Sequence, residues 1–171
     1  KIKNSHFKPA FEEAFKQHNL EIEAIVKNTE EPTFENTILA LENAGELLSR
    51  VSTVFGNLNS AHTNDSLKAL SVELAPIRSA HSDNISLNDT LFLRVKSVYE
   101  NRESFNLNPE QMMLLEKTYK SFVRNGANLS PEDKEKMKKI NSQLSTLSVQ
   151  FGQNLLEETN AYSLVITDEA D

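Results

Sequence analysis

At 171 residues the chain is long enough for one domain that buries about 70% of its unfolded surface. A formal charge of -7 and an isoelectric point near 5.2 argue against a nucleic-acid partner, whose phosphates call for a basic face. There is no cysteine, which excludes a disulfide framework and a thiolate metal site, and no apolar run reaches the roughly 20 residues of a membrane span.

Pro9 suits the first turn of a helix, with Phe7, Phe11, Phe15, Ile22, Ile25 and Val26 along its buried side. Residues 28–32 are a polar break, and Pro32 stops the first helix because it has no backbone donor. The strongest periodicity follows. Between residues 32 and 61, Phe34, Ile38, Leu41, Ala44, Leu48, Val51, Phe55 and Leu58 recur every three or four positions. That spacing predicts one continuous second helix, about 40 Å long, with Thr33 as its N-cap. Asn64 and Asp65 can cap a third helix with Leu67, Leu70, Leu74 and Ile77 on its stripe. Pro76 inside it predicts a kink or break, and the polar residues 82–86 end it.

Asn88 caps a fourth helix, with Leu91, Phe92, Val95, Val98 and Tyr99 facing inward. Asn108 followed by Pro109 marks a fifth, striped by Met112, Leu115, Tyr119 and Phe122 and stopped at Gly126. Ser130-Pro131-Glu132-Asp133 opens a sixth, which runs to about Asn160 through Met137, Ile140, Leu144, Leu147, Phe151 and Leu155. Its basic run, Lys134 to Lys139, is interleaved with acids and reads as a solvated face. Residues 162–167, Tyr-Ser-Leu-Val-Ile-Thr, are β-branched and roughly alternating, so they read as a strand. A strand needs a partner for its backbone groups. The partner is expected beyond Asp171, in another chain, or in a segment read here as loop. The expected fold is all-α: about six mostly antiparallel helices over residues 1–161, then one trailing β-strand over 162–171.

Catalytic motifs are scarce. In His-Glu-x-x-His, two imidazoles one helical turn apart bind zinc and the Glu acts as base. Four positions after His6, His18, His62 and His81 stand Ala10, Ile22, Ser66 and Ile85, so that pairing does not occur. His18 and His81 fall on or near apolar stripes and read as hydrogen-bonded core or boundary residues; His81 with Asp83 would make at best a weak metal site. The adjacent pairs Glu12-Glu13, Glu30-Glu31 and Glu157-Glu158 diverge by about 100° on a helix and form no catalytic carboxylate pair. No Gly-x-Ser-x-Gly elbow occurs, and Gly45, Gly56, Gly126 and Gly152 are too scattered for a phosphate loop. The reading therefore assigns no catalytic residue and no metal ligand in this chain, and it identifies no substrate-binding residue.

An ordered run of short matches says more. It comprises Asn36-Thr37-Ile38, Ala40-Leu41-Glu42, Gly45, Leu47-Leu48, Arg50-Val51 and Val54-Phe55, then Ala61-His62-Thr63-Asn64-Asp65. It continues with Leu87-Asn88, Leu91-Phe92, Arg94-Val95, Arg102-Glu103-Ser104, Phe122-Val123, Gly126-Ala127 and Gln150-Phe151. This run, spread over nearly the whole chain, resembles the N-terminal region of the peptidyl-dipeptidase branch of the zinc metallopeptidases that include oligopeptidase A and thimet oligopeptidase. The resemblance implies the N-terminal helical domain of a larger enzyme that removes C-terminal dipeptides from short peptides. It implies that the domain walls one side of a deep channel and restricts substrate access, without bond-breaking groups and inactive alone. Zinc would be held by His-Glu-x-x-His beyond this chain. The implied partners are the C-terminal catalytic region of the same protein and short peptide substrates. The expected compartment is the cytoplasm, or the periplasm if a signal peptide has been removed. The alternatives are the N-terminal domain of an oligopeptidase A-like endopeptidase and a stand-alone helical interaction module.

Overall fold

The computed structural model describes residues 2–165 and 167. After a 3-10 turn, Asn4–His6, come α1 (Phe7–Lys27), a π-helical segment (Phe34–Leu39) that runs into the short α2 (Ala40–Asn43), α3 (Glu46–Ala61) and α4 (Asp65–Ser86). Then follow α5 (Asp89–Glu100), a 3-10 turn (Arg102–Ser104), α6 (Pro109–Arg124) and α7 (Pro131–Ala161). The fold is all-α, with no strand among the described residues.

Local chemistry sets most of the helix ends. Thr33 Oγ1 accepts from Asn36 N–H while Asn36 Oδ1 accepts from Thr33 N–H, a reciprocal cap that satisfies two otherwise orphaned donors. Asn108 and Gln111 make the same exchange ahead of α6. Asn64, Asn88 and Ser130 cap α4, α5 and α7 by accepting from the N–H of Leu67, Leu91 and Asp133. Each cap is worth about 1 kcal/mol.

Two apolar clusters hold the bundle. In one, Phe7 and Phe11 of α1 pack with Phe55 of α3 and with Leu67 and Leu74 of α4. In the other, Ile22 and Ile25 of α1 pack with Phe34, Ile38, Leu91, Phe92, Val95, Val98, Leu115 and Phe122. Thus α1 runs through both. Phe7 and Phe11 meet Phe55 edge-on, whereas His18 lies against Gly45, so α1 and α3 are antiparallel. The pairs Phe92–Phe122 and Tyr99–Tyr119 set α5 antiparallel to α6. Asp83 meets Asn141 and Lys68 meets Gln153, which sets α4 antiparallel to α7. The exception is α1 with α4: Lys8 meets Glu73 and His18 meets His81, a parallel pair.

Three expectations from the sequence are corrected. The long second helix is two helices. Ala44 is extended (ψ 148°) and Gly45 is left-handed (φ 78°), which breaks the helix between α2 and α3. Of the kink or break expected at Pro76, the break does not occur: α4 runs through the proline to Ser86. One lost ladder bond is outweighed by the turns on either side and by packing along α7. The strand over residues 162–167 is not formed: 162–165 and Thr167 have no regular structure, and Ile166 lies outside the described residues. A ladder needs a second extended segment, and none faces this one among the described residues. Most of the α7 stripe also lies outside the core. Ile140, Leu144, Leu147, Phe151 and Leu155 are exposed, while the side toward α4 presents Asn141, Ser145, Val149 and Gln153.

Candidate functional site at the seam between the two cores

The polar centre of the molecule sits where the two clusters meet. On α1, His18 continues the stripe Phe11, Phe15, Ile22, Ile25, so helical spacing aims an imidazole inward. On α4, His81 lies one and two turns beyond Arg78 and Leu74 and faces the same place. His81 Nε2 and His18 Nδ1 are 2.9 Å apart, a hydrogen bond in which one ring donates and the other accepts. Phe15 lies against the His81 ring at 4.9 Å between centroids.

Gly45 closes the seam from the third side. Its N–H donates to Glu21 Oε2 at 2.6 Å, and a Cβ added there would stand 2.8 Å from His18 Cε1. Glycine is required on both counts: its φ is left-handed, and the imidazole occupies the space of a side chain. The chain changes direction here because it leaves one apolar cluster for the other, and α1 supplies both the carboxylate and the ring that fix the turn.

Burial pushes the His18 imidazole below its ordinary pKa, partly opposed by the Glu21 carboxylate. Burial also lowers His81, and the neighbouring His18 lowers it further. Two imidazoles sharing one hydrogen bond favour a neutral pair, since two cations at this separation repel. A cleft of 390 Å³ opens beside them, lined by Ser52, Arg78, Ser82, Ser86 and Asn125 among others.

Asp83, considered with His81 from the sequence, turns away: it is buried and accepts from Asn141 Nδ2 at 2.7 Å. His62 is exposed at the end of α3, and His6 is exposed with Nδ1 accepting from Lys3 N–H. Among the described residues no three His, Cys, Asp or Glu side chains come together as a metal cage. The histidine pair joins positions 63 apart, so no local motif announces it; the one signal is an imidazole on each apolar stripe.

A second polar hub fixes the loop after α1. Arg94, buried on α5, donates through Nη1 to the carbonyls of Asn28 and Glu30 and through Nη2 to Asn36 Oδ1. A third polar hub is built on a buried cation, Lys134, which donates to Leu87 O and to the Asp89 carboxylate, tying the start of α7 to the α4–α5 corner. In all three hubs the polar groups join helices.

The class of molecule is therefore an all-α scaffold whose polar centres connect elements of structure. No family model matches the chain. It is similar along nearly its whole length to two dipeptidyl carboxypeptidases, from Salmonella typhimurium and Escherichia coli. Each is 43% identical, over 98% and 99% of this chain. It is also similar to oligopeptidase A of Salmonella typhimurium, 25% identical over 99% of the chain. The chain spans 25% of the length of each of these relatives.

Proposed function

We propose that this chain is the non-catalytic, helical N-terminal domain of a zinc metallopeptidase that removes dipeptides from the C-terminus of short peptides. The observation that carries the reading is a step in identity. The dipeptidyl carboxypeptidases stand at 43%, whereas the bacterial oligopeptidases A stand at 24 to 26% over the same stretch. Because the match takes up a quarter of those relatives, the chemistry is assigned to the other three quarters of the protein.

Among the described residues no side chains gather that would fit a zinc centre. His18 and His81 use a ring nitrogen each on one another, and no third ligand joins them among the described residues. On this reading the zinc ligands lie in the catalytic region. The helical domain walls one side of the substrate channel and excludes folded chains. The compartment is the cytoplasm; a signal peptide encoded ahead of Lys1 would move it to the periplasm. No helix among the described residues is long and apolar enough to cross a membrane.

The test compares the complete gene product with residues 1–171. The complete protein is expected to hold zinc, to cleave short peptides and to leave a folded protein intact. Residues 1–171 are expected to hold no stoichiometric zinc and to cleave nothing. One tightly held zinc in the shorter chain, or a reading frame that closes soon after Asp171, would overturn the proposal.

A further inference from the structure

The outward face of α7 is out of keeping with a solvated helix. Ile140, Leu144, Leu147, Phe151 and Leu155 lie three or four residues apart, on one side, and each is more than half exposed; Phe151 reaches 70%. No Asp, Glu, Lys or Arg occurs anywhere in residues 140–156. The N-terminal part of the same helix, residues 132–139, is by contrast dense with charge and laced with ion pairs such as Lys136–Glu132 and Lys138–Glu135. Solvated helical faces carry charges to remain soluble, while the centres of permanent interfaces are depleted of them.

The opposite side of α7 is already in use, and it is polar. Gln153 donates to Lys68 O, Asn141 donates to Asp83, and Ser145 and Val149 face α4. The helix therefore meets its own bundle mainly through small and polar groups and turns most of its large apolar groups away. A helix packed this way has two faces to satisfy, and this structure satisfies one. The apolar face also continues beyond the helix: Tyr162, Leu164 and Val165 are each more than 70% exposed.

We propose that this face of α7, with residues 162–165, is the seam on which the remainder of the same polypeptide packs, through an uncharged apolar surface of its own. The proposal rests on the reading of this chain as one quarter of a longer peptidase. Two features choose this occupant over a second copy. The relatives are four times as long as the match, so a large covalently tethered surface is available. Exposed Tyr162, Leu164 and Val165 also extend the apolar surface past the end of α7, on the side where that remainder would continue.

Hydroxyl-radical footprinting of the unmodified complete protein tests the seam, reading Phe151, Leu147 and Tyr162 in the native state and in urea. A monomeric native protein is expected to oxidise these side chains about tenfold more slowly than the unfolded chain. Exposed Met113 of α6 serves as the reference and is expected to oxidise at nearly the unfolded rate. Native and unfolded rates within about twofold at Phe151 and Leu147 would overturn the proposal. So would protection that disappears on dilution together with a dimer, since a second copy would then be the occupant. Peptidase assay of the same preparation keeps the two readings apart. Protection without dipeptide release sinks the functional reading and leaves the seam standing; dipeptide release with an unprotected Phe151 does the reverse.

Discussion

Arg94 Nη2 donates to Asn36 Oδ1 across 3.0 Å, and this one oxygen also accepts from Thr33 N–H and Thr37 Oγ1. Asn36 is thus both a helix cap and the acceptor that holds a buried guanidinium. The other arm of Arg94 bonds the carbonyls of Asn28 and Glu30, in the loop that ends α1. Three elements (α1, the π-helical segment and α5) are locked at one point beside Ile38 and Val95, both fully buried.

Arg94→Met is expected to cost about 1–3 kcal/mol, because it leaves buried acceptors without their donor. Arg94→Lys is expected to recover only part of that loss, since an ammonium cannot span three acceptors in a planar fork. Urea unfolding of the two variants checks both statements; an unchanged midpoint for Arg94→Met would count against the hub.

At Gly45 an alanine meets two penalties. The left-handed backbone costs a side chain about 1–2 kcal/mol, and the new Cβ would press on the His18 ring. Gly45→Ala is therefore expected to lower stability by more than the backbone cost alone. It should also shift the imidazole resonances of both His18 and His81. Gly56→Ala, where an added Cβ meets nothing, is expected to be neutral or slightly stabilising by the same measurement.

The histidine pair makes stability depend on pH. Both pKa values are lowered by folding, so the unfolded chain binds more protons in the window below the ordinary histidine value of 6.5. Stability is then expected to be full above pH 6.5 and to fall as pH drops from there through the two folded values. The Glu21 carboxylate moderates the loss at His18. His18→Gln combined with His81→Gln is expected to flatten the profile between about pH 5 and 7. An unaltered slope would show that the acid sensitivity comes from elsewhere.

Much of this architecture is written locally. Thr33, Asn64, Asn88, Asn108 and Ser130 can be read as caps because a cap and its target lie three residues apart. Apolar spacing likewise marks the helical stretches, though not the π-helical turn over Phe34–Leu39. What escapes is decided between helices. Ala44 and Leu48 keep helical spacing across the break at Gly45, so periodicity continues where the backbone does not. The cause of the break, Glu21 and His18, lies on another helix. Periodicity also reports that α7 has an apolar face without reporting what it faces. Many of the short matches that carry the family resemblance are structural: Asn36, Ile38, Leu91, Phe92, Arg94, Val95, Phe122 and Ala127 belong to the larger core or to the hub beside it, and Phe55 belongs to the smaller core. They report a shared scaffold, which is why they identify a fold and relatives without identifying a reactive group.

Product analysis on the complete gene product distinguishes dipeptide release from internal cleavage. A short peptide with a free C-terminus is incubated with the purified protein, and products are followed by mass spectrometry over time. Stepwise loss of C-terminal dipeptides, abolished by amidating the peptide's C-terminus, is the expected result. Cleavage at internal bonds that ignores the C-terminus would place the protein with the oligopeptidases A, and no hydrolysis at all would contradict the assignment to a peptidase.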